Sequence, residues 1–457
     1  MIPILKNWLY VPLALVGDLP MVKEAFTTRL KAYDGEPPEV IGLYDTSVHG
    51  YIGVPPAAGI EVFPNYDDQT ILAPLTASCF PCRPNPNHPS VRDPIGQQRF
   101  MEDLLREARS RNRVVASAPT GSGKTVCALN MAAELGQRTL VIVHMERLLK
   151  QWVKEIALHL GVPTDQIGVI QGDRCRVEGK TVVVAMLQSL AVHEYPREVY
   201  DSFGTVIIDE VHRIGTKVFS QGATRFRARY QIGLSATVNR RDGGSKIIQQ
   251  YLGPVSVVSS AEALPADVYV IPYAASQRYI VGPGASRGVR CKVTSLDHLR
   301  NDVMAQEIRK MWSRGRQPLI IGEGIAHLQT LMGMCEGYGV RREDMGQFTA
   351  QYINQSGQYV KTPSDTLDRI LAESRAIFAT YGMFKEAIDV PRLDCGIDVM
   401  PRAEAKQVVG RTRRPFPGKQ RPIWVTMKDI NDARWMDAYR SRIKDYQECG
   451  CTIRSTI

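Results

Sequence analysis

The chain has 457 residues, 44% hydrophobic and 23% charged, a composition that excludes a disordered or fibrous protein and gives room for two or three domains. Its net charge is +10, yet residues 1–90 hold five Lys and Arg against nine Asp and Glu. The cationic excess therefore belongs to residues 91–457, with 52 Lys and Arg against 38 Asp and Glu, and it points to a polyanionic partner such as nucleic acid. The first twenty residues are apolar but carry Pro3, Lys6, Pro12 and Asp18, so they read neither as a leader nor as a membrane span, and a cytosolic protein is expected. Nine cysteines without a regular framework suit reduced thiols.

Residues 1–90 alternate strand-like runs (WLYVPLALV, EVIGLYD, GYIGV, IEVF) with a helical stretch near Val22 to Tyr33, which predicts a small N-terminal α/β accessory domain. The Pro- and Asn-rich FPCRPNPNHPS that comes next reads as a linker. It contains Cys79-x-x-Cys82 with His88 nearby, but no second CxxC pair, so two free thiols are expected rather than a zinc site.

From 91 to 260, apolar segments (RVVASAP, TLVIVH, QIGVIQG, TVVVAML, TVIID, QIGLSAT) alternate with helical intervals, the pattern of a parallel sheet. Within it, Val114 to Val126 reads VVASAPTGSGKTV: strand, phosphate loop, helix. Gly121, Ser122 and Gly123 let backbone N–H groups turn toward a polyphosphate, and Lys124 and Thr125 add an ammonium and a magnesium-ligating hydroxyl. Ala118 stands where the first glycine of the strict loop pattern would be. The second motif is TVIIDEVH, 205–212, a buried-strand run ending in two carboxylates. Asp209 is placed to hold Mg²⁺ and Glu210 to orient or deprotonate the attacking water. Residues 261–298 predict a connector with a β-hairpin over 269–293. A second α/β domain is expected over 299–457, with the helix NDVMAQEIRKMW, the strands PLIIGEG, AIFATYG and PIWVTMK, a C-terminal helix, and no phosphate loop of its own.

In this order the motifs resemble those of superfamily 2 DExH helicases over roughly residues 91–430. VRDPIGQQ resembles the adenine-reading Q motif; Gln97 and Gln98 both compete for the role, and Gln98 is favoured. APTGSGKT, LVIVHMERLLKQW and VVVAMLQSL resemble motif I and the segments that touch the nucleic-acid backbone, which implies contacts from Arg147 and Gln188. IIDEVH resembles motif II, and LSAT resembles motif III, so His212, Ser235 and Thr237 would couple nucleotide state to strand binding. IIGEGIAHLQ resembles motif IV. IFATYGMFKEAIDVPRLDCGI resembles motif V, with Thr380 toward nucleic acid and Asp389 toward nucleotide. Gln407 to Arg414, QVVGRTRR, resembles motif VI: Gln407 and Gly410 would line the nucleotide site, with Arg411 at the γ-phosphate and Arg414 as the arginine finger.

The resemblance implies an α/β fold of two tandem RecA-like parallel-sheet domains with a small N-terminal α/β domain. It also implies ATP with Mg²⁺ as cofactors, and single-stranded, forked or branched DNA as partner, handled by a monomer away from membranes. The small N-terminal segment and the run LSAT followed by RRDG are similar to phage branch-migration and repair helicases of the UvsW type, which would place the protein in a host cytoplasm. A DExH RNA helicase and a duplex translocase remain the alternatives.

Overall fold

The computed structural model describes residues 2–30, 39–75, 97–119, 122–213, 221–235, 243–259, 264–387, 390–414, 416 and 418–454. The chain divides into two compact units, Met1–Glu262 and Ala263–Ile457.

The first unit begins with β1 (Ile4–Leu5), β2 (Leu9–Pro12), α1 (Leu19–Ala25), β3 (Thr27–Arg29), β4 (Val40–Gly42), β5 (Tyr51–Val54), α2 (Pro56–Val62) and β6 (Asp67–Asp68). These form a four-stranded sheet, β5-β2-β1-β6, and a β3-β4 pair. IEVF, expected as a strand, is instead the end of α2 and the residue after it, and the expected helix from Val22 stops at Ala25. This segment shares its core with the rest of the first unit: Trp8, Tyr10, Ile41 and Leu43 pack in one cluster with Val115, Leu140 and Tyr251. Trp8 meets the Tyr251 ring edge-on at 5.7 Å, Tyr251 donates to Asn7 O at 3.1 Å, and Arg229 pairs with Asp68.

The unit continues with α3 (Gln97–Arg111), β7 (Arg113–Ser117), α4 (Lys124–Leu135), β8 (Thr139–Val143), α5 (Glu146–Leu160), β9 (Gly168–Gln171), β10 (Arg174–Arg176) and β11 (Val182–Met186). It closes with α6 (Leu187–Val192), α7 (Arg197–Tyr200), β12 (Thr205–Ile208), β13 (Tyr230–Ser235), α8 (Ser245–Leu252) and β14 (Val255–Val258). The sheet order is β10-β9-β11-β8-β12-β13-β7-β14, parallel throughout except for β10. Both faces are covered, which is why the strands read as unbroken apolar runs. Val115, Leu140, Ile142, Val183 and Ile208 pack on one face, and Val114, Val141, Val143, Val184 and Ile207 on the other.

The second unit holds β15 (Asp267–Tyr273), α9 (Arg287–Ser295), α10 (His298–Ser313), β16 (Pro318–Gly322), α11 (Ile325–Gly337), β17 (Met345–Phe348), β18 (Gln351–Ile353) and β19 (Tyr359–Lys361). After these come α12 (Ser364–Glu373), β20 (Ala376–Thr380), α13 (Tyr381–Ala387), β21 (Cys395–Asp398), α14 (Lys406–Thr412), β22 (Ile423–Asp429), α15 (Ala433–Glu448) and β23 (Thr452–Arg454). Its sheet, β17-β20-β16-β21-β22-β15-β23, is wholly parallel. The β-hairpin expected over 269–293 is not formed. β15 lies inside the sheet, its partners are the distant β22 and β23, and residues 287–295 are helical. The connector expected over 261–298 is thus largely part of the second unit. Gly396 is the close approach in this core: a Cβ there would sit 2.3 Å from the Trp424 ring.

Both units are therefore α/β, RecA-like parallel sheets, as expected.

Candidate active site

Parallel strands bring their C-terminal ends to one edge, and in the first unit that edge gathers the motif residues. β7 leads through Ala118 and Pro119 to Gly123, whose φ of +88° caps the start of α4. The left-handed backbone is what favours glycine here; a Cβ would also lie 2.2 Å from Gln97 Nε2, so the glutamine could rest against the loop only by shifting its tip. Gln97 Nε2 donates to Ser122 O at 3.1 Å, and Ser122 Oγ to Pro119 O at 2.8 Å. Lys124 Nζ donates to Ala118 O at 2.8 Å and Pro119 O at 3.3 Å, so the ammonium is folded into its own loop. Thr125 lies half-buried in the first turn of α4.

The structure places the two competing glutamines differently. Gln98 points to solvent and donates to Glu102 one turn along α3, whereas Gln97 is buried against the loop. The sequence held the signal: Gln97 falls on the stripe of Phe100, Leu104 and Ala108 that α3 buries, and Gln98 does not.

At the end of β12, two strands away in the sheet from β7, Asp209 is buried with both carboxylate oxygens held. Trp152 Nε1 donates to Oδ2 at 2.8 Å and the Glu210 backbone N–H to Oδ1 at 2.9 Å. Burial, then the neighbouring charge of Glu210, push the Asp209 carboxyl well above the ordinary carboxylate range, while Trp152 and Lys124 pull it down. Glu210 has a φ of +48°, a left-handed conformation uncommon for a non-glycine residue and costing on the order of 1 kcal/mol.

Ser235, wholly buried at the end of β13, connects the two motifs. Its O accepts from the Ala118 backbone N–H at 3.0 Å, and its Oγ lies 2.7 Å from His212 Nδ1. His212 Nδ1 is in turn 3.2 Å from Glu210 Oε2. Trp152 is a residue to which the sequence motifs assign no role. It lies in α5, whose first turn contains the half-buried Arg147. Gln188, at the start of α6, donates to His144 O at 2.8 Å and so joins the segments after β8 and β11.

In the second unit, Thr380 ends β20 and is half-buried. Arg411 and Gly410 lie on α14, with the Arg411 guanidinium 5.5 Å from the Phe384 ring centre. Burial lowers the Arg414 guanidinium to about 10, which leaves it a cation at neutral pH. Arg413 faces inward and donates to Leu264 O at 2.5 Å. Gly121, Thr237, Asp389, Cys79, Cys82, His88 and the side chain of Gln407 lie outside the described residues.

The two RecA-like sheets thus carry a lysine-bearing glycine turn and paired carboxylates on the first and an arginine-bearing helix on the second, a residue set of the kind found in nucleoside-triphosphate-using motor proteins. Residues 93–240 match the family model described as Type III restriction enzyme, res subunit. A protein of Acanthamoeba polyphaga mimivirus, provisionally named ATP-dependent RNA helicase L396, is 28% identical over 77% of this chain and 67% of its own length. The DNA 3'-5' helicase XPB of Mycobacterium tuberculosis is 24% identical over 74% of this chain and 62% of its own. Among solved structures, S. cerevisiae Dbp5 bound to RNA and ADP BeF3 aligns over 79% of this chain and 89% of that one, at 12% identity and a TM-score of 0.53, and shows the shared fold. T4 UvsW aligns over 96% of both chains at 15% identity and a TM-score of 0.37. Together the matches support superfamily 2 of the helicases for this chain, and with it helicase-family function and use of ATP. No helix among the described residues is long and apolar enough to cross a membrane.

Proposed function

We propose that the protein is an ATP-dependent DNA helicase or translocase that unwinds or branch-migrates forked and branched DNA in replication, recombination or repair. The observation that carries the motor reading is the convergence of Lys124, Asp209, Glu210, His212 and Ser235 on one edge of the first sheet. Lys124, drawn out of its loop, meets the β- and γ-phosphates, and Gln97 stands beside the loop to read the base. Asp209 and Thr125 offer the hard oxygen donors that Mg²⁺ takes, and a buried carboxylate beside a second one is a negative charge that a divalent cation would balance. Bound there, the cation supplies neutralisation of the transferring phosphoryl group. Glu210 orients the attacking water. His212 and Ser235 carry the state of the carboxylates to β13 and the phosphate loop. For Arg411 and Arg414 the sequence resemblance proposes the part of cations that would stabilise charge developing on the γ-phosphoryl.

The nucleic-acid reading draws on the cationic excess of residues 91–457, and DNA in particular on the relatives named as DNA helicases or translocases, the M. tuberculosis XPB and XPB2 of Sulfurisphaera tokodaii, whose names also give the 3′ to 5′ polarity. RNA is the second reading, favoured by the name of the mimivirus relative. Steady-state ATP hydrolysis decides between them, measured alone and with single-stranded DNA, duplex, fork, four-way junction and RNA, with Glu210→Gln as the inactive control. Stimulation by forks and junctions is expected; stimulation by RNA alone would overturn the DNA reading.

A further inference from the structure

The C-terminal edge of the second sheet carries positive charge that the motif residues do not account for. Between Gln277 and Leu296 the chain has four cations, Arg278, Arg287, Arg290 and Lys292, and no carboxylate. β15 delivers this stretch to the sheet edge at which β16 ends in Gly322 and β20 in Thr380.

Ion pairing absorbs only part of the charge. Arg290 NH1 is 2.7 Å from Asp432, and both side chains are buried, so that pair fixes α9 to the start of α15. Arg287 and Arg402 share one carboxylate, Glu323, at 2.7 and 2.6 Å. Two guanidiniums on one carboxylate leave one positive charge. Arg278 is exposed and lies 4.7 Å from the Tyr279 ring centre, and Lys292 is exposed on α9; neither has a carboxylate within ion-pair distance among the described residues. Among the described residues the fold thus neutralises the arginine it buries, while Arg278, Lys292 and the Arg287/Arg402 pair on Glu323 keep cationic character at the surface. Arg402 and, through Glu323, Arg287 adjoin the expected motif V contact, because the Arg402 guanidinium sits 3.6 Å over the ring of Tyr381, the residue after Thr380.

We infer that Arg278, Arg287, Lys292 and Arg402 form a backbone-binding edge that takes the phosphodiester of a nucleic-acid strand alongside Thr380. The contact is electrostatic and indifferent to base sequence, and each phosphate engaged releases bound counterions. The inference rests on the proposed motor function and specifies a surface for it. It replaces the absent hairpin with a cationic rail.

The test uses the full chain and the double variant Arg278→Ala/Lys292→Ala, which breaks no ion pair. Binding of a labelled single-stranded DNA, and of an RNA of the same sequence, is followed by fluorescence anisotropy from about 50 to 200 mM salt, a range over which phosphate contacts weaken steeply. The expected result is a slope of log K against log salt shallower by about 1 to 1.5, since each phosphate contact on a single strand contributes about 0.7. Thermal melting and nucleic-acid-independent ATP hydrolysis should stay unchanged. A slope equal to that of the unaltered chain overturns the inference and leaves the motor reading standing. No salt-dependent binding by the unaltered chain overturns both. Loss with DNA and RNA alike identifies the phosphates as the ligand; loss with one alone assigns the edge to that nucleic acid.

Discussion

Counted in chain order, and setting aside the antiparallel β10 and the separate β18-β19 pair, the first sheet runs third, fourth, second, fifth, sixth, first, seventh, and the second sheet runs in the same order. β15 therefore stands where β7 stands. After β7 comes a short loop that folds Lys124 back on itself at the head of α4. After β15 comes a longer segment without lysine and then the basic α9. The first edge collects Asp209 and Glu210, and the second collects arginines around a single Glu323. One backbone plan thus serves two chemistries, and the segment after each strand decides which.

The comparison breaks most visibly at Lys124. Lys124→Ala should lower ATP hydrolysis at least about 100-fold, the scale seen when a preorganised transition-state cation or donor is lost, while salt-dependent nucleic-acid binding persists. If both disappear together, the two edges are not separable in function.

Gly396→Ala tests the second unit. The added methyl meets a Trp424 ring that cannot easily retreat, because Trp424 Nε1 donates to Thr412 Oγ1 on α14 at 2.7 Å. A loss of about 3 kcal/mol is expected from overpacking, read as an earlier denaturation midpoint for the second unit alone. Arg411 and Arg413 flank Thr412, so the variant should also depress turnover.

Acid should weaken the second unit more than the first. His327 in α11 is buried with Nε2 2.8 Å from Asn301 Oδ1, and burial lowers its imidazole to about 3. The unfolded imidazole binds its proton near pH 6.5, so stability present above that pH is lost as the pH falls toward 3, by about 2 kcal/mol between pH 7 and 5. Asp209 in the first unit and Asp398 in the second work in the opposite direction: each raised carboxyl takes a proton in the folded state first, so acid favours the folded first unit and offsets part of the His327 loss in the second. Hydrogen exchange at pH 7 and 5 should show protection falling in the second unit; an equal fall in both would contradict the assignment.

The smallest effect belongs to Trp152→Phe, which keeps a ring in the core and removes the donor to Asp209. About a tenfold drop in turnover is expected, as for one hydrogen bond to a charged group, together with a higher Mg²⁺ requirement and nearly unchanged melting. Loss of melting temperature without the Mg²⁺ effect would reduce Trp152 to a packing residue.

The parallel strands and the two carboxylate and lysine motifs were legible because each is local: five apolar residues in a row, or a fixed loop spacing, state their own environment. β15 was not, since VYVIPY followed by GPG has the turn chemistry of a hairpin, and its true partners begin at Ile423 and Thr452, far along the chain. β23 pairs only Asp267–Tyr269, so Pro272 lies beyond that stretch of pairing. Trp152 and Asp209, 57 residues apart, are likewise joined only by the fold. Gln97 differs from Gln98 by nothing except helical phase.

On the proposed function, the lysine tucked into its loop sets a threshold for the anion it is to meet. An anion must outbid two carbonyl oxygens, those of Ala118 and Pro119, whose hold on a charged donor is worth about 1.5 to 3 kcal/mol each. On that reading a polyphosphate would carry charge enough to open the latch, and a dilute monovalent anion would not.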